Sequence, residues 1–546
     1  LLLERYIILI NLMKLGFSEE ERKKLLDEMT LIHCADAMPI GGPPTEAISQ
    51  DDVDDTKKFF NGMIFSPLDK NTGCSLICCP CYYFGKLKSA FYDDTDHYQH
   101  VTTTEKAITA KWKISWKLLR GAESNKKKRK RTHKRLEIPA PNWKKPRIPT
   151  AYILLKNKDI EKHRPITSYF KHPCKTNLRA ANAAIMFMMN ILKAKHRDHF
   201  SFNIGKPENL KKLTQKINLH KIHLDKDQKR QNNIKLYLGD IKQMYTELEH
   251  SEIKEAILWL ILKFKKRLGI HMTLKIRKRL CKYNPEKQTN VVLGNNAVSQ
   301  KKYFTLTMNQ LISIVTFDLN NTFFRVGTRI FRQTKGIPMG SNNSPALAYL
   351  ICEYYERKIP RKIPTNRLHR MFGARFVDDI LVVQIIPEND EIMDLQMKHD
   401  LLLITDTNRK DSIYHRNLTI KPEDISNGAN CLGSLIYIDT TTGLLKVRYK
   451  NKNETSLENW NQDILRFQHA HSFAPRSQKL GAITTEAVRL QRLTSDHSDT
   501  TTQTKLLAKE LNTLGYKNKT ITKALLNRHK KTAERIFKSM ADAIKK

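Results

Sequence analysis

The chain has 546 residues, with 96 Lys+Arg against 55 Asp+Glu and a formal net charge of +41. Apolar residues at 40% exclude a disordered basic tail, and a charge excess of this size points first to a polyanion partner, usually nucleic acid. The longest apolar stretches, such as Ala180–Leu192 and Glu255–Phe264, fall short of the roughly 20 residues that a membrane span needs, so no membrane partner is expected.

Taken in chain order, residues 1–60 carry 7 basic and 12 acidic side chains. They predict an N-terminal helical extension, broken at Gly41-Gly42-Pro43-Pro44. Leu1–Leu12 is a poor signal peptide, and the absent initiator Met points to a fragment or an uncertain gene model. A short strand-bearing piece is expected around Cys74–Phe84. Its cysteines Cys74, Cys78, Cys79 and Cys81 lack the usual C-x2-C spacing and a second pair, so they read as structural rather than zinc-binding. Nine cysteines, mostly scattered, suit a reducing compartment.

Residues 101–147 hold 16 Lys+Arg against 3 Asp+Glu, centred on Lys126-Lys127-Lys128-Arg129-Lys130-Arg131. Adjacent like charges repel and cannot be buried, so this is an exposed insert, with the composition of a nuclear-import signal. From about 148 to 445, β-like runs (Ala151–Lys156, Ile234–Leu238, Ala374–Val383, Cys431–Ile438) alternate with helical ones, which means α+β or α/β. Residues 446–546 read as mostly helical, with Lys505–Leu514 and Ile521–Lys538 separated by a break at Gly515-Tyr516.

Four Asp-Asp pairs occur: Asp51-Asp52, Asp54-Asp55, Asp93-Asp94 and Asp378-Asp379. The first three sit among polar residues and read as solvated loop. The fourth lies in Ala374–Val383, where apolar runs on both sides predict a hairpin of two buried strands. Two carboxylates at such a turn are costly to desolvate unless a cation neutralises them. Taken alone, the pair could equally be a polar hairpin tip.

A second carboxylate bears on that choice. The run Ile234–Leu238 leads to Gly239-Asp240, with a helix-like segment following at Glu247–Lys263. A lone Asp there is usually a helix cap. Paired in space with Asp378, it would supply oxygen ligands of the kind that hard cations take. Between the two lies Gln333–Ala348, whose glycines, proline and small residues predict a tight loop feeding a helix at Pro345–Arg357.

Together and in this order, the three segments resemble motifs A, B and C of reverse transcriptases. Phe376-Val377-Asp378-Asp379 matches motif C. Asp240 matches the motif A aspartate, with Tyr245 where the family carries its ribose-sensing aromatic. Gln333-x-x-Gly336-x-x-Met339-Gly340-Ser341 matches motif B. Met339-Gly340-Ser341, and Met244-Tyr245-Thr246 after Asp240, resemble Penelope-like elements, relatives of telomerase. Leu68-Asp69-Lys70-Asn71 resembles that branch's aspartate–lysine segment. Lys156 and Arg164-Pro165-Ile166 resemble fingers motifs 1 and 2, although Leu155 stands where Pro is usual. Cys431-Leu432-Gly433 falls at the primer grip of motif E, and Lys479-Leu480-Gly481 with Arg489 resembles the start of a thumb.

The resemblance implies an α+β right-hand polymerase: fingers at 61–230 including the insert 101–147, palm at 231–445 with a small antiparallel sheet, and a helical thumb at 446–546. It implies an RNA template, a DNA primer and dNTPs as partners, with two Mg2+ ions (or Mn2+ in their place) as cofactors and the nucleus as location. Asp240, Asp378 and the Ile241 carbonyl would hold metal, with Asp379 supporting. Lys156, Arg164, Tyr245, Gln333, Gly340 and Ser341 would contact the nucleotide. Cys431, Leu432 and Gly433 would hold the primer. Lys421 reads as a solvated lysine rather than a proton donor. Neither a GIY-YIG endonuclease pair nor an RNase H-like array of carboxylates is visible. The alternative reading is a decayed or domesticated RNA-binding protein on the same fold; an RNA-templated RNA polymerase is the other rival.

Overall fold

In the computed structural model, the described residues are 50–124, 139–195, 200–227, 230–268, 273–278, 290–294, 302–423, 425, 428–459, 463–472 and 474–545. Most of the expected N-terminal extension and the run Lys126–Arg131 lie outside them. Helix Gln50–Phe59 carries Asp51-Asp52 and Asp54-Asp55, which are therefore helical rather than loop residues.

Strands β1 (Ile64–Leu68) and β2 (Asn71–Cys78) form a hairpin, and the chain turns into helix Pro80–Phe91. The strand-bearing piece expected around Cys74–Phe84 is thus half helix, because Pro80 opens one at its first position. Next come β3 (Tyr98–Val101), helix Glu105–Ser124, and the hairpin of β4 (Thr150–Lys156) and β5 (Asp159–Ser168). Helices Lys175–Lys195 and Asn209–Asp227 lead to β6 (Asn232–Ile241), followed by helix His250–Leu268. Strands β7 (Thr273–Arg277), β8 (Val291–Leu293) and β9 (Tyr303–Thr307) make a small sheet before helix Met308–Asn320. The hairpin of β10 (Phe323–Val326) and β11 (Arg329–Gln333) precedes helix Ser344–Glu356. Last are β12 (Met371–Phe376), β13 (Asp379–Pro387), β14 (Ile420–Pro422), β15 (Ala429–Cys431), β16 (Ser434–Ile438) and β17 (Leu445–Tyr449), then four C-terminal helices.

The sheet that matters is β12-β13-β6-β14, antiparallel throughout. Its β13 is apolar on both faces because both faces are covered. Ile380, Val382 and Ile386 enter one core with Met188, Ile257 and Leu350 from three helices. Leu381, Val383 and Ile385 enter another with Leu210, Ile217, Ile436 and Val447. A five-stranded sheet, β3-β11-β10-β4-β5, stands beside it with its own aromatic core around Phe91, Phe324 and Phe331. The C-terminal helices pack around Leu511, Ile521, Phe537 and Met540. The chain is therefore α+β, with small, mostly antiparallel sheets and a helical C-terminal unit.

Two expected elements are divided. Cys431–Ile438 is a hairpin, because Leu432 (φ 56°) and Gly433 (φ 77°) form a two-residue turn with both residues left-handed. Ile521–Lys538 is two helices, Asn518–Thr532 and Arg535–Lys545, broken at left-handed Ala533. The break at Gly515-Tyr516 falls between helices, as expected.

Candidate active site

The pairing of β6 with β13 sets Asp240 directly opposite Asp379, and the β12–β13 turn delivers Asp378 beside them. Val377 takes a left-handed φ of 58° in that turn, and the Asp378 carbonyl accepts from the Ile241 amide at 2.9 Å. One oxygen from each of Asp240, Asp378 and Asp379 lies within 4.8 Å of the others. Among the described residues this is the one group of three or more metal-ligating side chains so placed.

Burial raises the Asp378 carboxyl, and the Asp240 charge adds to it. Asp379 is pushed up to about 7, by burial first and then by Asp378 and Asp240. Three acids crowded in this way are frustrated, and a hard divalent cation relieves them. The Lys242 ammonium already pairs with Asp240, a monovalent stand-in for such a cation. The donor set therefore fits a hard divalent cation.

These acids open onto a cleft of about 1100 Å3. Lys156, Arg164, Tyr245, Met339, Gly433 and Lys452 are among its lining residues. Arg164 reaches it from β5, Lys156 from the end of β4, and Tyr245 from the short helix after β6. The Tyr245 hydroxyl is pushed up to about 12, by burial first and then by Asp378, and so stays neutral.

The motif-B-like loop docks onto the segment after β6 through its backbone: the Ile337 amide donates to the Tyr245 carbonyl at 2.6 Å and the Gly336 amide to the Leu248 carbonyl at 2.9 Å. Thr167 donates its amide to the Met339 carbonyl at 2.8 Å, and a Cβ on Gly340 (φ 127°) would stand 2.2 Å from the Thr167 carbonyl oxygen. Gly340 therefore permits loop and β5 to touch. Gln333, Gly340 and Ser341 are not among the residues lining the cleft; Met339 is. Gln333 is buried at the end of β11, where its backbone carbonyl accepts from the Thr322 hydroxyl. Ser341 turns inward and donates to Asp318 at 3.4 Å.

Of the residues expected at a primer grip, Gly433 lines the cleft and Cys431 is buried behind it, its thiol pushed up to about 12 by burial and then by Asp379. Gly433 takes a left-handed φ of 77°, which favours glycine, and the tip of the Arg489 side chain from helix Arg476–Leu493 lies close to it. Leu432 packs against the core shared by β13 and β16. Lys421 pairs opposite Asp240 across β14 and β6, exposed and away from the cleft lining. Cys78 is buried, with its thiol pushed up to about 11 chiefly by burial. Cys74, Cys78, Cys79 and Cys81 are free cysteines that belong to no group of three or more metal-ligating side chains among the described residues.

Two supporting residues have no clear sequence signal. Arg375, fully buried on β12, pairs with fully buried Glu356 and donates to the Val377 carbonyl at 3.4 Å. Glu356 also accepts from the Phe202 amide and the Tyr414 hydroxyl, each at 2.9 Å. This charged knot holds the carboxylate turn from behind. A lone arginine between Ala374 and Phe376 was the only hint of it.

No family model matches the chain, and no curated protein matches it. Among solved structures, apo telomerase from Candida tropicalis aligns with a TM-score of 0.47 at 10% identity, covering 97% of this chain and 78% of that one. Telomerase from Candida tropicalis in complex with a TWJ fragment of telomeric RNA aligns at 0.48 and 11% identity, covering 88% and 67%. A Sicinivirus 3Dpol RNA-dependent RNA polymerase aligns at 0.34 and 10%, covering 68% and 64%. These are loose likenesses of chain path.

Proposed function

We propose that the chain is an RNA-directed DNA polymerase that adds dNTPs to a primer 3′-OH. The observation that carries this reading is the convergence of Asp240, Asp378 and Asp379 at a cleft that Lys156, Arg164 and Tyr245 also line. Asp240, Asp378 and the Ile241 carbonyl would hold two Mg2+ ions, or Mn2+ in their place, with Asp379 supporting. When bound, such ions stabilise charge on the attacking and leaving oxygens of phosphoryl transfer.

The chain's own groups do the rest. Lys156 and Arg164 hold the triphosphate, Arg164 with a fork suited to phosphate. Tyr245 sits under the sugar and excludes a 2′-OH. The turn at Cys431, Leu432 and Gly433 borders the primer end, and Met339 borders the base pair. The 3′-OH attacks the α-phosphate in line, and pyrophosphate leaves toward the lysine-lined side. The +41 charge supplies salt-sensitive affinity for template and primer phosphates.

By motif resemblance the chain belongs to a retroelement of the Penelope-like branch and works in the nucleus. Primer extension on an RNA template tests the reading. Wild type should incorporate dNTPs, and Asp378→Ala should lose on the order of 10³-fold or more. Equal background incorporation by both would replace the enzyme with an RNA-binding protein of this fold.

A further inference from the structure

The turn Asp69-Lys70-Asn71, between β1 and β2, has no part in the chemistry above, yet it is tethered on both sides. The Asp69 amide donates to the Leu155 carbonyl at 2.8 Å, and Asp69 forms a β-bridge with Lys156. Its carboxylate, 9% exposed, accepts from Arg164 at 2.9 Å. Asn71 is fully buried and bonds both to the β4–β5 turn and to the segment at 463–465. Its amide nitrogen donates to the Asn157 side chain at 2.8 Å and to the Asp463 carbonyl at 3.3 Å, and its oxygen accepts from the Leu465 amide at 3.1 Å. The strap at 463–465 is fixed in turn by Arg466, which pairs with Glu486 and Glu510 of the C-terminal helices. One tripeptide thus joins the β4–β5 hairpin to the thumb.

Lys70 sits between these two anchors. Its left-handed φ of 65° makes the tight turn, and its side chain is exposed into the cleft. It makes no ion pair or side-chain hydrogen bond among the described residues, and it lines the cleft that Asp240, Asp378, Asp379, Lys156 and Arg164 also line. A ligand in that cleft would meet an ammonium whose backbone is fixed on both sides. That ligand must satisfy ammonium on one side and, through cations, carboxylates on the other. A polyphosphate has this chemistry.

We propose that Lys70 is a third cationic contact, beside Lys156 and Arg164, for the polyphosphate of the incoming nucleotide and of departing pyrophosphate. Asp69 and Asn71 are positioning residues that fix its backbone from opposite sides. This rests on the polymerase reading, and its failure is distinguishable from the failure of that reading.

The first arm is calorimetric titration of the full chain with inorganic pyrophosphate in the presence of Mg2+. Lys70→Ala should weaken binding roughly tenfold, the loss of one charged hydrogen bond. Lys70→Arg should stay within about threefold of wild type, and the melting temperature of both should match wild type, since the side chain is exposed. In the second arm, single-nucleotide incorporation, Lys70→Ala should raise the KM for dNTP by a similar factor and leave the primer–template Kd unchanged. Asn71→Ala should move KM in the same direction by less, with a lowered melting temperature. Unchanged pyrophosphate affinity and dNTP KM in Lys70→Ala would overturn the assignment while the polymerase reading stands. A wild type that extends no primer would overturn the polymerase reading, and this one with it.

Discussion

Asp379 and Asp318 are both carboxyls held near pH 7, and they reach that value by different routes. Asp379 is raised by burial and by two neighbouring acids, and it faces an open cleft. Asp318 is buried beneath the loop at 336–344, against Ser341 and Asn343. Burial alone raises it, while Asn343 and Ser341, each donating at 3.4 Å, pull it back. Met339 of the same loop turns toward the cleft, whereas Ser341 turns toward Asp318. An elevated carboxyl therefore does not by itself mark chemistry. Like-charge neighbours with an open side ask for a cation, whereas neutral donors in a closed interior clamp a loop.

The sharpest way to break this contrast is to remove one acid from each group. Asp378→Ala should lose on the order of 10³-fold or more in incorporation and keep its melting temperature, because it relieves repulsion. Asp318→Asn should retain measurable incorporation. Next comes the support behind the cluster. Glu356→Ala leaves the Arg375 guanidinium buried and uncompensated, and should cost about 3–5 kcal/mol in denaturant unfolding. A loss under about 1 kcal/mol would mean that the knot does not hold the turn.

A subtler test is pH. The folded value of Asp318 lies above its ordinary one, so the stability it contributes is full below about 4 and is lost as pH rises through about 7. Asp318→Asn should remove that term, and wild type should lose about 3 kcal/mol more than the variant between pH 5 and pH 8. Parallel pH profiles would show that Asp318 is ionised throughout. Tyr245→Ala should raise rNTP relative to dNTP incorporation by on the order of tenfold to a hundredfold, and unchanged discrimination would move the sugar contact elsewhere. Lys421→Ala, exposed and off the cleft lining, should stay within about threefold of wild type.

What could be read from the sequence follows from range. The apolar runs around Asp378-Asp379 predict a buried hairpin from local pattern alone, and the hairpin is there with Asp240 opposite. The turn at Leu432-Gly433 and the break at Ala533 were hidden because Leu432 and Ala533 adopt left-handed backbone without being glycine. Contacts set by tertiary packing were invisible: Arg375 finds Glu356 only once β12 lies against helix Ser344–Glu356, and Asn71 meets Leu465 across 394 positions. The directions of Ser341 and Gln333 were likewise unreadable, since motif spacing fixes order along the chain and not which face a side chain takes.

The central claim is that the acids at the β6–β13 end serve templated synthesis. It is tested most directly by offering the chain a DNA primer on RNA templates that differ only in the next base, with one dNTP at a time and Mg2+. The account predicts that wild type adds only the complementary dNTP on each of the four templates, and that Asp240→Asn adds none. Additions that ignore the template base, or that persist in Asp240→Asn, would contradict it.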